Sequence, residues 1–277
     1  SLAGGMREMV NRHALIRRLS SVETLGSVTT ICTDKTGTLT QNEMTVTKLW
    51  VDGKFVDITG IGYDPVGEFY IDGEQIDLAK TLPAANTALW VGTLNNDASL
   101  EPVGEVDGKP SFRMIGDPTE GSILVAAVKA GAVTNELNEK YPREQEIPFD
   151  STRKRMVTVH EIVNPGGGDI SPYYAEEKTN WYTIAVKGAP DVVLGLCTYI
   201  SDYDNKPIPL TDEMRKKVLS ANEAMADDAL RVLGVAYRPV PEVPEAAEAE
   251  QLEHELIFVG LIGMIDPSRS EVKPALA

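Results

Sequence analysis

Residues 28–40 read Val28-Thr29-Thr30-Ile31-Cys32-Thr33-Asp34-Lys35-Thr36-Gly37-Thr38-Leu39-Thr40. The β-branched run before Asp34 predicts a strand, and the small polar residues after it predict a loop. Ligands of α/β folds collect at the carboxyl ends of parallel strands, so the pattern predicts an active-site carboxylate in a doubly wound sheet. Asp34 is the candidate nucleophile, because an aspartate can attack phosphorus and hold the phosphoryl group as an aspartyl-phosphate.

The position two residues after Asp34 separates two kinds of phosphoryl chemistry. Phosphatases with an aspartate nucleophile usually carry a second acid there, which protonates the leaving group and activates water. This chain carries Thr36 at that position, with the cation Lys35 between the two residues. We therefore expect an aspartyl-phosphate on Asp34 to persist instead of being hydrolysed at once.

Residues 34–40 resemble the phosphorylation motif of the P-type cation-transporting ATPases. Their flanks, Ser21-Val22-Glu23-Thr24-Leu25-Gly26 and Gln41-Asn42-Glu43-Met44-Thr45-Val46, are similar to the calcium and sodium/potassium pump branch of that family. The resemblance implies that ATP transfers its γ-phosphate to Asp34 in the intact protein. An ordinary strand followed by a Thr/Gly turn is the alternative.

The same resemblance implies a role for each residue around the nucleophile. Mg²⁺ would be held by the Asp34 carboxylate and the Thr36 carbonyl, where it neutralises charge between phosphate and nucleophile. The Thr36 hydroxyl and Lys35 would orient the phosphoryl oxygens. The implied cofactors are therefore ATP and Mg²⁺, and the implied site consists of Asp34, Lys35 and Thr36.

Composition limits the kind of ligand and the kind of protein. The chain has 277 residues, 42 acidic against 26 basic, and a formal net charge of −16, which disfavours nucleic acid as a partner. An anion such as ATP would need cations concentrated locally against that charge. Cys32, Cys197 and the three scattered histidines lack metal-ligand spacing. The longest apolar run, Leu256–Ile265, is shorter than the roughly 20 residues that cross a bilayer.

A helix start near residue 117 is one candidate part of a nucleotide site. Local rules predict Asp117 as the N-cap, Pro118 as the first helical residue, Glu120 as the capping-box partner and Gly131 as the stop. Capping alone explains most of this pattern. The resemblance adds that a similar acidic stretch lines the pump family's nucleotide site, with Glu120 touching the adenine amino group or its water and Thr119 beside it.

An aromatic residue followed by three cations is the second candidate part. Phe149 could stack on a purine ring, and Lys154 could lie over that ring or reach a phosphate. A strand edge with a core phenylalanine and solvated cations is the alternative reading. The resemblance to the Phe and Lys of the pump family's nucleotide domain favours the ATP site. Ser151 is a departure, since some members of the family carry arginine there.

Three further segments complete the implied site. Lys187 ends a predicted strand before Gly188 and a helix start, which is a natural anion site, and the Lys-Gly-Ala-Pro-Asp run resembles the family's Lys-Gly-Ala-Pro-Glu. By resemblance, Arg231 contacts the phosphates and Leu233 neighbours the ribose or adenine. Asp266 follows a buried strand and opens Asp-Pro-Ser-Arg, which is similar to the family's Asp-Pro-Pro-Arg turn. We expect Asp266 near Asp34.

The remaining pattern predicts a series of ordinary elements. The predicted elements are a basic helix over 5–19, hairpins at Asp52-Gly53 and Asp72-Gly73, helices over 84–95 and 211–229, strands over 181–186, 229–237 and 256–265, a short helix over 192–196, and an exposed acidic loop over 241–255. The basic helix is a solvated surface helix from its sequence alone. The resemblance instead implies the extension of a membrane helix.

The resemblance implies an α/β architecture with one domain inserted in another. An antiparallel-sheet nucleotide-binding domain, residues 48–255, would interrupt a partial haloacid-dehalogenase-like phosphorylation domain, residues 1–47 and 256–277. The intact protein would be a membrane pump with this segment on the cytoplasmic side. The flanks favour a calcium-type or sodium/potassium-type pump over a heavy-metal pump, and we expect calcium as the cation. The family's later Thr-Gly-Asp and Gly-Asp-Gly-x-Asn-Asp loops do not occur before Ala277. We therefore expect a catalytically incomplete segment that binds ATP weakly.

Two other classes of function remain open at this stage. One is a free-standing phosphatase of the haloacid-dehalogenase type, which Thr36 and the large insert argue against. The other is a nucleotide-binding regulatory module without phosphoryl transfer. Assays with simple phosphate esters test the first, and an Asp34→Asn variant tests the second.

Overall fold

The computed structural model describes residues 2–15, 17–18, 20–106, 109–163, 165, 170–173, 181–243 and 245–276. The chain forms two compact units, one of residues 41–268 and one of residues 1–40 with 269–277. No helix within the described residues combines the length and the apolar character needed to cross a membrane.

The unit of residues 41–268 is built on one large sheet. The strands of this unit are β1 (Thr45–Val51), β2 (Lys54–Ile58), β3 (Phe69–Ile71), β4 (Glu74–Ile76), β5 (Ser99–Val106), β6 (Lys109–Ile115), β7 (Arg143–Asp150), β8 (Arg155–Ile162), β9 (Trp181–Gly188), β10 (Cys197–Ser201), β11 (Pro207–Pro209), β12 (Arg231–Val240) and β13 (Leu256–Ile265). β5 and β6 form a separate two-stranded hairpin, and the other strands belong to the large sheet. The order is β4-β3-β2-β1-β13-β12-β9-β8-β7, and β10 joins β13 and β11. Described neighbours pair antiparallel except β10 and β13, which are parallel.

Helices cover both faces of this sheet. They are α3 (Leu78–Thr81), α4 (Pro83–Leu94), α5 (Pro118–Lys129), α6 (Thr134–Lys140), α7 (Pro190–Gly195), α8 (Asp212–Asp227) and α9 (Ala249–Leu252). Side chains alternate along β12, so Val235 and Tyr237 join the core under α4 while Ala236 joins the core under α7 and α8. The prediction of an α/β unit with antiparallel strands is confirmed.

The core under α4 is centred on one tryptophan. Trp90 is fully buried, and the rings of Tyr141, Tyr173 and Tyr237 meet it edge-on at centroid distances of 5.2, 5.5 and 6.1 Å. Edge-to-face contacts of this kind are favourable beyond the area they bury. They fix α4, and therefore its C-terminal end, against β12.

The boundaries of the sheet unit differ from those expected from the sequence. A boundary between 255 and 256 would assign β13 to the outer domain. In the structure β13 lies between β1 and β12, with Leu49 opposite Ile262 and Leu233 also opposite Ile262, and its side chains enter both cores. Removing it would leave β1 and β12 each with one unpaired edge and divide the large sheet in two, whereas the compact unit runs from 41 to 268.

The smaller unit carries α1 (Leu2–Asn11), α2 (Ser20–Gly26) and α10 (Val272–Leu276). The predicted helix over 5–19 is shorter than expected, because α1 ends at Asn11 and His13 has a positive φ of 62°. Leu19 lies outside the described residues. The strand predicted before Asp34 does not form: residues 28–34 are exposed and irregular. A strand needs a neighbour for its backbone groups, and no described strand pairs with this run.

Predictions from local turn and capping rules agree well with the sheet unit. The helix predicted over 84–95 is α4, and that over 211–229 is α8, whose N-cap Thr211 accepts from Met214 N. Both predicted hairpins form, with positive φ at Asp52-Gly53 and Asp72-Gly73.

The acidic segment 241–255 is not the loose loop that its composition predicts. It contains α9, and Leu252 and Glu253 are buried. Pro244 lies outside the described residues. The segment is therefore anchored at its C-terminal end, where it leads into β13.

Candidate nucleotide-binding site

The first turn of α5 contributes two predicted site residues. Asp117 is the N-cap and accepts from Thr119 N at 2.7 Å, and Pro118 is the first helical residue, as predicted. The predicted capping box does not form. The Glu120 carboxylate instead accepts from the backbone N–H of Asp97 at 3.0 Å. Glu120 is therefore turned away from its own helix end and toward the end of α4.

Lys187 meets Glu120 from the neighbouring sheet. Its Nζ lies 2.5 Å from Glu120 Oε1 and also donates to the carbonyl of Asn95. Lys187 is only 6% exposed. Burial lowers the pKa of this ammonium, and the Glu120 carboxylate opposes that shift. The strand pairing fixes the position, since Lys187 of β9 lies opposite Met156 of β8.

A second contact joins β12 to the same helix turn. Arg231, at the start of β12, donates from Nη1 to Thr119 Oγ1 at 2.9 Å and is exposed. The structure therefore brings together Thr119, Glu120, Lys187 and Arg231, four residues that the sequence distributes over three segments. Leu233 is half-buried two residues further along β12.

Phe149 lies near the end of β7 and is 63% exposed, so it is not the core residue of the alternative reading. The turn after it is held by Asp150, which accepts from the backbone N–H groups of Thr152 and Arg153 at 2.9 and 2.8 Å. Hydrogen bonding, above all from Arg153 N, lowers the pKa of Asp150. Lys154 closes the turn with a positive φ of 55°.

Gly188 connects this turn to Lys187. It lies opposite Arg155 of β8, and a Cβ at this position would come within 2.4 Å of Lys154 O. The next residue, Ala189, donates its N–H to the same carbonyl at 2.9 Å. A side chain here would displace the turn that carries Lys154, so glycine is required by close approach of two backbones.

Two of the three cations after Phe149 have an internal role. Arg153 donates to Glu253, and Arg155 Nε donates to Glu253 Oε2 at 2.9 Å. The Glu253 side chain is 4% exposed. The solvated cations of the alternative reading are therefore not found at these two arginines, because a buried carboxylate from the segment before β13 binds both.

Sequence reasoning missed the residues that surround the Glu120–Lys187 pair. Asn95 Nδ2 donates to the carbonyls of Met156 and Ala185 at 3.0 and 2.8 Å, which ties the end of α4 to β8 and β9. Arg143 of β7 binds the same helix end. The one available signal was the Asn-Asn-Asp run that follows the apolar helix pattern.

Asp34 and its neighbours form a tight turn in the smaller unit. Asp34 Oδ1 accepts from Lys35 N at 2.7 Å, and Thr36 and Gly37 have the φ/ψ of a type II turn, with φ of 76° at Gly37. Thr40 N donates to Lys35 O at 3.1 Å and closes the loop. Within the part of the chain that the structure describes, no three His, Cys, Asp or Glu side chains form a metal cluster. The oxygen donors of Asp34 and Thr36 suit Mg²⁺ only if phosphate and water complete the shell.

Asp266 follows β13 directly, as predicted. Its Oδ1 accepts from Asn42 N at 2.8 Å, and Gln41 N donates to Pro267 O at 3.0 Å. These contacts hold the two ends of the sheet unit together. Asp266 belongs to the sheet unit and Asp34 to the smaller one, and the expected proximity of the two stays a prediction.

Comparison with known proteins identifies similar sequences. Residues 85–271 match a family model described as the cytoplasmic domain N of P-type ATPases. The chain is 36% identical over 276 residues to a calcium-transporting ATPase of Bacillus subtilis, covering 100% of this chain and 28% of the relative. It is 38% identical over 280 residues to the cation-transporting ATPase pma1 of Synechocystis, with the same coverage. The chain thus spans less than a third of the length of these relatives.

Proposed function

The chain belongs to the P-type ATPases, and from that membership we propose that it is the ATP-binding and phosphate-accepting segment of an ATP-driven cation pump. Relatives named calcium-transporting ATPases support calcium as the transported ion. In the intact protein this segment would lie on the cytoplasmic side of the membrane. The observation that carries the proposal is the convergence of Thr119, Glu120, Lys187 and Arg231 by direct hydrogen bonds.

The base would be recognised by an aromatic face and a carboxylate. Phe149 presents an exposed ring at the end of β7, and base–aromatic stacking contributes about 1–3 kcal/mol. Glu120 offers acceptor oxygens, which suit the amino group of adenine. Its carboxylate is held by Asp97 N and Lys187, so it enters the complex already oriented. Adenine between Phe149 and Glu120 is the arrangement we propose.

The phosphates would be bound by a few cations in an acidic protein. We propose that the phosphates or the ring are contacted by Lys187, Lys154 and Arg231. Gly188 has no side chain and would let the backbone come close to the nucleotide. Lys187 is charge-paired with Glu120, so ATP would have to share or displace that contact. A net charge of −16 makes local cations the main attraction for a nucleotide. Arg153 and Arg155 are excluded from this role by Glu253.

The reaction we propose is in-line transfer of the γ-phosphoryl group. A carboxylate oxygen of Asp34 forms the new O–P bond, the bond to the ADP oxygen breaks, and ADP leaves with that electron pair. Lys35 and the Thr36 hydroxyl orient the phosphoryl oxygens, and Thr36 supplies no acid to activate water. Mg²⁺, held by Asp34 and the Thr36 carbonyl, would neutralise charge on the phosphates.

ATP binding is tested by calorimetric titration of the 277-residue chain. Phe149→Ala should weaken ATP binding about tenfold, since roughly 1.4 kcal/mol of stacking is a factor of ten. Phe55→Ala is the matched control, because Phe55 is also exposed but lies on β2 under Lys48. Equal affinities of the wild type and Phe149→Ala would refute the adenine site.

Phosphoryl transfer is tested in the full-length pump. With γ-labelled ATP, the wild type should form an acid-stable phosphoenzyme, and Asp34→Asn should bind ATP without forming it. Absence of label in the wild type would favour a nucleotide-binding module. Asp34-dependent hydrolysis of p-nitrophenyl phosphate by the 277-residue chain would favour the phosphatase alternative.

A further inference from the structure

The Glu120–Lys187 pair is bracketed by one short piece of backbone. We name residues 94–97, at the C-terminal end of α4, the α4 exit turn. Its Asn95 carbonyl accepts from Lys187, and its Asp97 N–H donates to Glu120 Oε2 at 3.0 Å. Each partner of the ion pair is therefore held by a different peptide group of the same turn. A change in the shape of this turn would move the two side chains relative to each other.

Arg143 of β7 holds the α4 exit turn from the other side. Its Nη2 donates to Asn96 O at 2.6 Å and to Leu94 O at 3.2 Å, and its Nη1 donates to Asp97 Oδ1 at 2.6 Å. The same Nη1 lies 2.8 Å from Glu146 Oε2. One guanidinium thus binds two carbonyls and a carboxylate of the turn. Its side chain is 27% exposed, so these bonds are partly shielded from water.

We propose that Arg143 is a positioning residue of the nucleotide site: through the α4 exit turn it sets the placement of Glu120 and Lys187, and thereby the preference for adenine over guanine. The inference rests on the proposed function. Guanine carries a carbonyl where adenine carries its amino group, so a fixed Glu120 carboxylate would accept from adenine and repel guanine. A displaced Glu120 would lose that distinction.

The guanidinium geometry explains why another cation would not replace it. Its planar fork directs donors from two nitrogens at separate acceptors, whereas a lysine ammonium is a compact point charge. Arg143→Lys therefore keeps the positive charge near the site but cannot form the hydrogen bonds to Asn96 O and Asp97 Oδ1 at the same time. The Arg143 charge also contributes to the lowered pKa of Lys187, which agrees with their proximity.

A residue that only stabilises the fold would give a different result from a positioning residue. Loss of a merely stabilising residue lowers the thermal midpoint of unfolding and reduces the affinity for all nucleotides equally. Loss of positioning changes the ratio of the dissociation constants for ATP and GTP. That ratio is therefore the readout, measured by calorimetry on the 277-residue chain with Mg²⁺ present.

The expected result is an ATP preference in the wild type that falls about fivefold in Arg143→Lys, which corresponds to about 1 kcal/mol. Arg113→Lys is the control, since Arg113 pairs with Glu101 at 3.0 Å and is 65% exposed. It should keep the wild-type ratio. An unchanged ratio in Arg143→Lys would overturn the inference while leaving the ATP site intact. No ATP binding by the wild type would instead overturn the proposed function.

Asp97→Ala provides a second route to the same answer, and it decides the question if Arg143→Lys does not fold. The Asp97 side chain is 58% exposed, so its removal should leave the fold intact while it removes the bond between Arg143 Nη1 and the turn and leaves the two carbonyl bonds in place. Asp97→Ala should lower the preference for ATP over GTP. The double variant Arg143→Lys/Asp97→Ala should lower it no further than Arg143→Lys alone, because the effects of residues that act through one contact do not add. Independent, multiplying effects would contradict the proposal.

Discussion

The Lys187 ammonium lies 2.5 Å from the Glu120 carboxylate at a position where burial lowers the pKa of the lysine below the ordinary 10.5. If this ammonium binds phosphate, ATP affinity should fall with rising pH before an ordinary lysine titrates. Lys187→Arg keeps its charge throughout and should remove that fall. Calorimetric titrations at a series of alkaline pH values measure both profiles. Superimposable profiles would exclude Lys187 as a phosphate ligand.

The lowered pKa of Lys187 affects stability and ATP affinity in opposite directions as the pH rises. A base with a lowered folded-state pKa binds fewer protons in the folded chain than in the unfolded one. Between that folded pKa and 10.5, the Lys187 contribution to the free energy of unfolding therefore rises with pH while ATP affinity falls. Urea denaturation of wild type and Lys187→Arg separates the two trends.

The buried His160 should make the sheet unit sensitive to acid. Burial lowers the pKa of His160 from 6.5 to about 4, and its Nδ1 contacts Tyr141 O at 2.9 Å. The unfolded chain takes up a proton first, so stability is lost as pH falls from 6.5 toward 4, by up to about 3 kcal/mol. His160→Asn can keep the donor to Tyr141 without titrating. Urea denaturation between pH 7 and 4 should show a smaller loss of stability toward acid in this variant than in the wild type, and equal losses in the two would contradict the assignment.

Glu253 should be a major contributor to stability despite its acidic surroundings. Replacing it by glutamine removes the charge that both Arg153 and Arg155 bind, and breaking a buried ion pair costs about 3–5 kcal/mol. Glu255→Gln is the control, since Glu255 is 68% exposed and lies 3.8 Å from Arg238. It should change the free energy of unfolding by less than about 1 kcal/mol. Similar free energies of unfolding for Glu253→Gln and Glu255→Gln in urea denaturation would argue against a stabilising contact of Glu253 with the two arginines.

Gly188 should tolerate no side chain. The added methyl of Gly188→Ala would meet Lys154 O at 2.4 Å and Arg155 Cβ at 2.7 Å, so β8 and β9 would have to separate, at a cost of about 1–3 kcal/mol. Gly195→Ala has no atom within 4 Å and should be neutral or slightly stabilising. Thermal unfolding of both variants checks the difference. A neutral Gly188→Ala would show that the turn carrying Lys154 can move freely.

The sequence predicted well what local chemistry decides. Asp117 and Thr211 cap their helices because a side-chain oxygen needs only a backbone N–H two or three residues away. The same rules failed for Glu120, whose partner lies 67 residues distant. The β-branched run before Asp34 was also predicted wrongly, because high β propensity does not form a strand unless a neighbouring strand pairs with it.

The arrangement around the candidate site depended on pairing that no local pattern encodes. Arg155 and Glu253 are 98 residues apart, and Lys187 and Asn95 are 92 apart. Both contacts follow from the order of the strands. The family resemblance supplied Phe149, Lys187 and Arg231 as candidates, and their roles toward ATP stay predictions. It did not supply Arg143 or Asn95, which donate hydrogen bonds to backbone carbonyls of other segments of the chain.

The central place of β13 governs when this unit can fold. Chains emerge from the ribosome N-terminal end first, and β1 then has to wait for a partner that is made about two hundred residues later, as the register of Thr45 opposite Ile265 requires. Pairing between such distant segments gives a high contact order and slow folding. Until β13 arrives, β1 and β12 expose bare edges to other nascent chains. The period of greatest aggregation risk for this protein is therefore the interval between synthesis of β12 and synthesis of β13.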